Sequence, residues 1–325
     1  MLRLFVQSSD RLDIAACDLG GLPEKPVGAA WYDLLNPTED EDRFVEQSLG
    51  IDLPTREEMM DIEPSARLYK EAGAEFMTMT AMVNLDTETP AKSPVTFILR
   101  ENVLITVRHV DPKPFKLFVI RATKSGGRLR GGGEAVMVGL IEAFIDRLAQ
   151  VLETASDEID RISHEVFRAR SGDKREPQDL QSVIERIGRK GELLTLARES
   201  LLSIIRVTSF HQAGEGKKAA LKQDIKTLQR DATALADHAA YLSNKINFLL
   251  DATLGLINLE QNQIIKIFTV ASVAFLPPTL VASIYGMNFA AMPELTWEFG
   301  YPFAIAIMVA SAIVPFIYFK RRGWL

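Results

Sequence analysis

The sequence is poor in the residues that usually carry chemistry. It has one cysteine, Cys17, and four histidines, His109, His164, His211 and His238, scattered along 325 residues. A single thiol can neither bridge internally nor furnish a thiolate metal site, so a disulfide scaffold and a zinc ribbon are excluded. Catalytic signatures are missing as well: there is no HExxH, no paired CxxC, no nucleophile elbow and no complete P-loop, so an enzyme is not expected. Excess positive charge is absent, since 37 Lys and Arg face 43 Asp and Glu for a net −6, which argues against a nucleic-acid partner. The glycine-rich SGGRLRGGG at 125–133 lacks the lysine and hydroxyl of a phosphate loop and the spacing of a dinucleotide fingerprint. It reads as a flexible linker, and no organic cofactor is expected. With 47% apolar and 25% charged residues, the chain is neither collagen-like nor disordered.

Charge itself is missing from two stretches, IFTVASVAFLPPTLVASIY at 267–285 and FGYPFAIAIMVASAIVPFIYF at 299–319. About 20 such residues cross a hydrocarbon core as a helix, so two membrane spans are expected. Lys266 precedes the first and Lys320, Arg321 and Arg322 follow the second, while the connecting loop 286–298 holds Glu294 and Glu298 and no basic residue. The positive-inside rule then puts both ends in the cytoplasm. The start, MLRLFVQSSDRLD, has no apolar run of secretory type, so the large N-terminal part is expected to stay on the cytoplasmic side.

Strand-like stretches occur at 1–7, 29–35, 75–83, 95–100 and 103–109, the last two flanking a turn at Glu101-Asn102. Helices are expected after Asn36-Pro37, with Asn as cap, and after Thr55, where Glu58 completes a capping box. This predicts an α/β domain over 1–130. From Glu134 the pattern is helical, with breaks near Gly172 and near Gly214 and Gly216, predicting helices over about 134–170 and 177–210. Leu221, Ile225, Leu228, Ala232, Leu235, Ala239, Leu242, Ile246 and Leu249 then form a heptad seam. An unbroken helix from about 216 to 285 would be roughly 105 Å long at 1.5 Å per residue. The expected organisation is a helical stalk over 131–262, a first span over 263–285, an external loop over 286–298, a second span over 299–319 and a basic tail over 320–325.

Carried into the first span, the same spacing puts Asn262, Ile265, Thr269, Ser272, Leu276, Thr279, Ser283 and Gly286 on one face. Small and hydroxyl residues on a membrane helix either allow close helix packing or line a water-filled path. Pro277-Pro278 frees backbone carbonyls beside this face, and in a membrane these need neighbours or water.

The span ends in Tyr285-Gly286-Met287-Asn288-Phe289, followed by Met292-Pro293-Glu294-Leu295. With NLEQNQIIKIF at 258–268, LPPT at 276–279 and the basic tail, this resembles the CorA family of magnesium channels, whose signature is a GMN triplet closing the first of two C-terminal spans. The resemblance covers the chain, and its specific part lies in 258–325. It implies a homopentameric funnel in a cell (inner) membrane, with the first span of each subunit lining a central pore. The implied function is potential-driven Mg²⁺ influx, with Co²⁺ and Ni²⁺ as further cargo, gated by cytoplasmic Mg²⁺. It assigns the selectivity filter to Gly286, Met287 and Asn288, polar rings to Asn262, Thr279 and Ser283, and apolar constrictions to Ile265, Phe268 and Leu276. Glu294 and Glu298 would attract cations outside, although Ala290 and Ala291 stand where many relatives have an acid and an aromatic. Candidate carboxylates for sensing Mg²⁺ are Asp86 and Glu88 on the first domain and Asp224, Asp231 and Asp237 on the stalk. Two rival readings remain open from sequence: a proton-coupled Zn²⁺ transporter of the same superfamily, and a membrane-anchored coiled-coil scaffold without transport. The histidines all fall outside the spans, where a soft-metal path would use imidazole or thiolate.

Overall fold

Alternation of side chains along the first strands decides the architecture of the N-terminal region. A computed structural model describes residues 1–8, 11–15, 27–85, 87, 89–124, 131–168, 180–213, 219–288, 292–293 and 297–323. Seven strands, β1 (Leu2–Ser8), β2 (Arg11–Ala15), β3 (Ala29–Leu35), β4 (Leu68–Glu71), β5 (Ala74–Val83), β6 (Ala91–Arg100) and β7 (Val103–Arg108), form one sheet in the order β2-β1-β3-β7-β6-β5-β4. Every pair is antiparallel except β3 with β7. Neighbouring residues point to opposite faces. Leu4, Tyr32, Ile98 and Ile105 therefore meet Val45 and Leu49 of α1 (Glu39–Leu49) and Met59 of α2 (Arg56–Met60) on one side. On the other, Phe5 stacks on Trp31 at 4.4 Å, and Trp31 meets Phe115 and Phe118 of α4 (Lys113–Ala122). Each such side chain contributes about 1.5–3 kcal/mol when fully buried.

Local chemistry sets the ends of the elements. The first helix is capped by Thr38 and not by the expected Asn36. The Thr38 Oγ1 accepts from the Glu41 N–H and the Thr38 N–H donates to the Glu41 carboxylate. Asn36 instead takes a left-handed φ of 45° as the chain leaves β3. The Thr55–Glu58 box forms as the spacing predicts. The two-residue turn at Glu101-Asn102 joins Arg100 to Val103, with Glu101 at φ 52°. Of the glycine-rich 125–133, residues 125–130 lie outside the described residues, but the last glycines are packed tightly and do not act as a loose linker. Gly132, at φ 69°, lies against the Asn102 side chain, and a Cβ at Gly133 would strike the backbone of Val103 and Leu104. These glycines let the start of α5 (Gly133–Arg168) pass directly over the β6–β7 turn.

At the centre of the sheet a buried ion pair joins the two parallel strands. Arg108 and Asp33 are both fully buried. The Arg108 Nε and Nη2 donate to the two Asp33 oxygens at 2.9 Å each, and Nη1 donates to Asp111 at 2.8 Å. Arg3 and Thr106 donate to the same Asp33 carboxylate, and Trp31 Nε1 donates to Thr106. Asp33 and Asp111 raise the Arg108 pKa against a desolvation that would lower it. Removing one partner of such a pair costs about 3–5 kcal/mol, because the other is left charged and buried.

The rest is helical: α3 (Pro64–Arg67), α5, α6 (Leu180–Gln212), α7 (Ala219–Tyr285) and α8 (Gly300–Arg321). Residues 169–179, the expected break near Gly172, lie outside the described residues. The seam of α7 is buried at Leu221, Ile225, Leu228, Ala232, Ala239, Leu242, Ile246 and Leu249, with Ala236 taking the inward place expected for Leu235. Arg186 on α6 pairs with Glu165 on α5 at 2.8 Å, Lys245 on α7 pairs with Asp160, and Phe167 stacks with Phe248 at 6.0 Å. The chain divides into two units, Met1–Leu249 and Leu250–Leu325.

Candidate functional site

Two helices, α7 and α8, are long and apolar enough to cross a membrane, and the second unit contains all of α8 and the apolar end of α7. Residues 267–285 of α7 rise about 28 Å at 1.5 Å per residue, close to the roughly 30 Å of a hydrocarbon core. Aromatics and cations mark the ends of α8. Trp297 meets Phe303 at 5.5 Å before its first turns, and at its last turn Arg322 lies 5.7 Å from the Tyr318 ring beside Lys320 and Arg321. Aromatic belts and basic residues take these places at membrane–water interfaces.

From Val270 onward one side of α7 is partly covered. Val270 is only 8% exposed, and Val273, Ala274, Pro277 and Val281 are half-buried. At 100° per residue, the stripe Asn262, Ile265, Thr269, Ser272, Leu276, Thr279 and Ser283 is centred about a third of a turn away. All of these residues, and Phe268 at its margin, are exposed within the single chain, with Ile265 at 61%, Phe268 at 68% and Leu276 at 71%. The face that sequence spacing singles out is therefore uncovered in this unit, as are off-stripe residues such as Phe275 and Leu280.

The hydroxyls on that face have a defined polarity. Thr269 Oγ1 donates to the Ile265 carbonyl and Thr279 Oγ1 to the Phe275 carbonyl, both at 2.8 Å. Their protons are spent on their own helix, so the oxygens turn lone pairs outward. Such oxygens are acceptors, suited to the outward-pointing hydrogens of water bound to a cation. Pro277 and Pro278 sit inside the helix without N–H groups, so the Val273 and Ala274 carbonyls lack their usual donors four residues on.

The helix closes at the GMN triplet. The Gly286 N–H donates to the Ala282 carbonyl at 2.9 Å and the Met287 N–H to the Ile284 carbonyl at 3.3 Å. Gly286, Met287 and Asn288 are all exposed, and they stand at a helix C-terminus, where the peptide dipoles add to about half a negative charge. Both the dipole and the neutral oxygens of this end favour a cation.

The carboxylates are dispersed. Asp86, Glu88 and Glu294 lie outside the described residues, and Glu298 is exposed. Asp224 and Asp231 are one heptad apart on α7, the latter 3.4 Å from Arg230, and Asp237 falls on another face. Among the described residues, no group of three metal-ligating side chains gathers within one chain. Sequence reading missed the Arg108–Asp33 pair, although a charge inside each of two otherwise apolar strands, AAWYDLL and VLITVR, was the available signal. It also missed His211, buried between Glu75 (2.6 Å) and Glu134 (3.1 Å), whose partners are 136 and 77 residues away.

A family model described as CorA-like Mg²⁺ transporter protein matches residues 27–321. The chain is 36% identical over 300 residues to proteins named magnesium transport protein CorA from Escherichia coli (strain K12) and Salmonella typhimurium, covering 92% of this chain and 93% of each relative. It is similar in fold to the complete CorA magnesium transporter of Methanocaldococcus jannaschii, with a TM-score of 0.80 at 19% identity, covering 100% of this chain and 99% of that one. The full-length CmaX protein shares the fold with a TM-score of 0.68 at 15% identity. The N-terminal α/β region, the long α7, the two apolar helices and the terminal GMN triplet belong together for a reason: this chain is a member of the CorA family.

Proposed function

We propose that the chain is a channel subunit through which Mg²⁺ enters the cell down the membrane potential, with Co²⁺ and Ni²⁺ as secondary cargo. The observation that carries this reading is the acceptor-lined stripe of α7, exposed in one chain and ending at the GMN triplet. A homopentamer turns five stripes toward one axis. The bilayer covers the outer apolar surface, and both termini lie on the cytoplasmic side of the inner membrane.

Mg²⁺ binds water tightly and gives up its octahedral shell reluctantly. A filter that touches the hydrated ion with neutral oxygens avoids that cost, and rings of Gly286 carbonyls and Asn288 amides offer such oxygens at the outer mouth. Thr279, Ser283, Ser272, Thr269 and Asn262 continue the acceptor path inward. Ile265, Leu276 and Phe268 form apolar rings that close the path by expelling water. Glu294 and Glu298 raise the local cation concentration outside. A divalent ion gains about 4.6 kcal/mol per 100 mV on entry, so no chemical energy source is needed. For gating, carboxylates from neighbouring subunits, drawn from Asp86, Glu88, Asp224, Asp231 and Asp237, share Mg²⁺ between cytoplasmic domains and hold the ring closed when the ion is plentiful. The stripe has no imidazole or thiolate, which favours Mg²⁺ over Zn²⁺ as cargo.

The test is influx into liposomes holding the purified protein and an internal Mg²⁺ indicator, under a negative-inside potential at equal pH. Influx that follows the potential and is lost in Asn288→Ala supports the proposal. No influx from folded protein refutes a channel, and influx that needs a pH gradient points to a proton-coupled transporter.

A further inference from the structure

An open cleft of 460 Å³ lies in the first unit, and transport as described above gives it no role. It exists because β4 is short. That strand pairs with β5 only from Ala74 to Met77, which leaves the outer edge of β5 bare at Thr80. The edge is satisfied by α6 instead. The Thr80 N–H donates to Ser203 Oγ at 3.0 Å, and the Ser200 hydroxyl donates to the Thr80 carbonyl at 2.8 Å. Thr80 thus turns both backbone groups away from Pro94, its partner across β6, which has no N–H to offer.

Cations converge on this corner. Arg67, at the end of α3, is fixed by donating from Nη1 to Thr80 Oγ1 at 3.1 Å and from Nε to the Asp61 carbonyl. Arg206 lies one turn beyond Ser203 on the cleft side of α6 and is exposed. Lys92 is neutralised by Glu199 at 2.7 Å, whereas neither arginine has a carboxylate partner among the described residues. In a chain with six more acids than bases, two unpaired guanidiniums beside one cleft are informative. The rest of the lining is largely apolar: Met60, 51% exposed, and Ile62, 86%, flank Asp61, and Pro94 and Leu202 add to it.

We propose that this cleft binds a small organic phosphate, with the phosphoryl oxygens on Arg67 and Arg206 and the organic body against Met60 and Ile62. Planar guanidinium forks match phosphate oxygens in pairs, which is why arginine serves such sites better than a point charge. The volume falls in the range of small-molecule sites and suits a nucleoside polyphosphate. Inorganic phosphates satisfy the cations and leave the apolar wall wet, so the two sources of the anion are distinguishable.

The experiment is equilibrium dialysis of the purified full chain in detergent at fixed free Mg²⁺, with ATP, pyrophosphate and adenosine as probes. Direct binding is read because ATP also chelates Mg²⁺ and would alter flux for that reason alone. Saturable ATP binding is expected, with pyrophosphate and adenosine each at least tenfold weaker. Arg206→Glu should weaken ATP at least tenfold. Ile62→Ser, at an exposed position that does not threaten folding, should weaken ATP several-fold and leave pyrophosphate unchanged. The proposal is overturned by no saturable ATP binding, by pyrophosphate or adenosine binding as tightly as ATP, or by unaltered ATP affinity in the two variants.

Discussion

The two units of this chain are stabilised in opposite ways. In Met1–Leu249 the sheet is buried on both faces, the seam of α7 is covered, and even a full charge such as Arg108 is held inside by several donors and acceptors. Among the described residues of Leu250–Leu325 little is buried beyond Thr253, Val270, Gly300 and Ala304, while Phe275, Leu276 and Tyr301 are more than 70% exposed. The first unit covers its own core, whereas the second leaves most of its apolar surface uncovered within one chain. A buried charge in the first unit is met by an opposite one, as Asp33 meets Arg108, whereas the hydroxyls of Thr269 and Thr279 bond only backward to their own helix and leave acceptors facing out.

If this contrast is right, substitutions in the second unit change flux at constant stability, and those in the first change stability. The largest effect is expected from Asn288→Ala, which should cut Mg²⁺ influx at least tenfold, the equivalent of about 1.4 kcal/mol or more on the barrier, with an unaltered melting temperature. Next comes Arg108→Met, which strands Asp33 without its main partner and should lower the stability of the first unit by about 3–5 kcal/mol, read as a fall in the denaturation midpoint. Thr279→Val keeps the shape and removes the outward acceptor, so flux should drop several-fold with no change in melting. Leu280→Val, off the stripe, should alter neither.

The smallest effect depends on pH. Asp42 is pushed up to about 6 by burial first and then by the charges of Glu46 and Glu41, and one of its oxygens is buried without a hydrogen bond. The folded state therefore holds a proton that the unfolded chain, with a carboxyl near 3.8, has already released. Stability contributed by this group is fully present below about 4, falls as pH rises to about 6, and stays reduced above. Asp42→Asn should match the native protein below pH 4 and melt higher above pH 6, which thermal scans at the two pH values would check.

Features governed by local or periodic chemistry were legible before the structure. The apolar runs, the Thr55 box, the Glu101-Asn102 turn and most of the seam depend on residues within one or two turns of each other. Ala236 is buried where Leu235 is only half-buried, and the seam resumes at Ala239 as the spacing predicts. What was not legible depends on distant residues. The parallel pairing of β3 with β7 joins Trp31 to Leu104, and β2 and β4 have only five and four residues, too short for a pattern to stand out. The capping role passed from Asn36 to Thr38 because the chain first needs a left-handed residue to turn out of the sheet. At the candidate site, the stripe and the triplet were visible in the spacing, while the backward-bonded hydroxyls required coordinates. The cleft at Thr80 was invisible, since it arises where α6, 120 residues on, covers a bare strand edge.

The central claim is that the polar stripe of α7 faces water in the assembled protein. It is tested most directly by placing single cysteines along α7 in a Cys17→Ser background, reconstituting each variant, and treating it with a charged, membrane-impermeant thiol reagent. Cysteines at Ser272, Thr279 and Ser283 should react and block Mg²⁺ influx, and cysteines at Val270, Ala274 and Val281 on the partly covered face should do neither. Equal reactivity on both faces, or none on the stripe, would contradict the account.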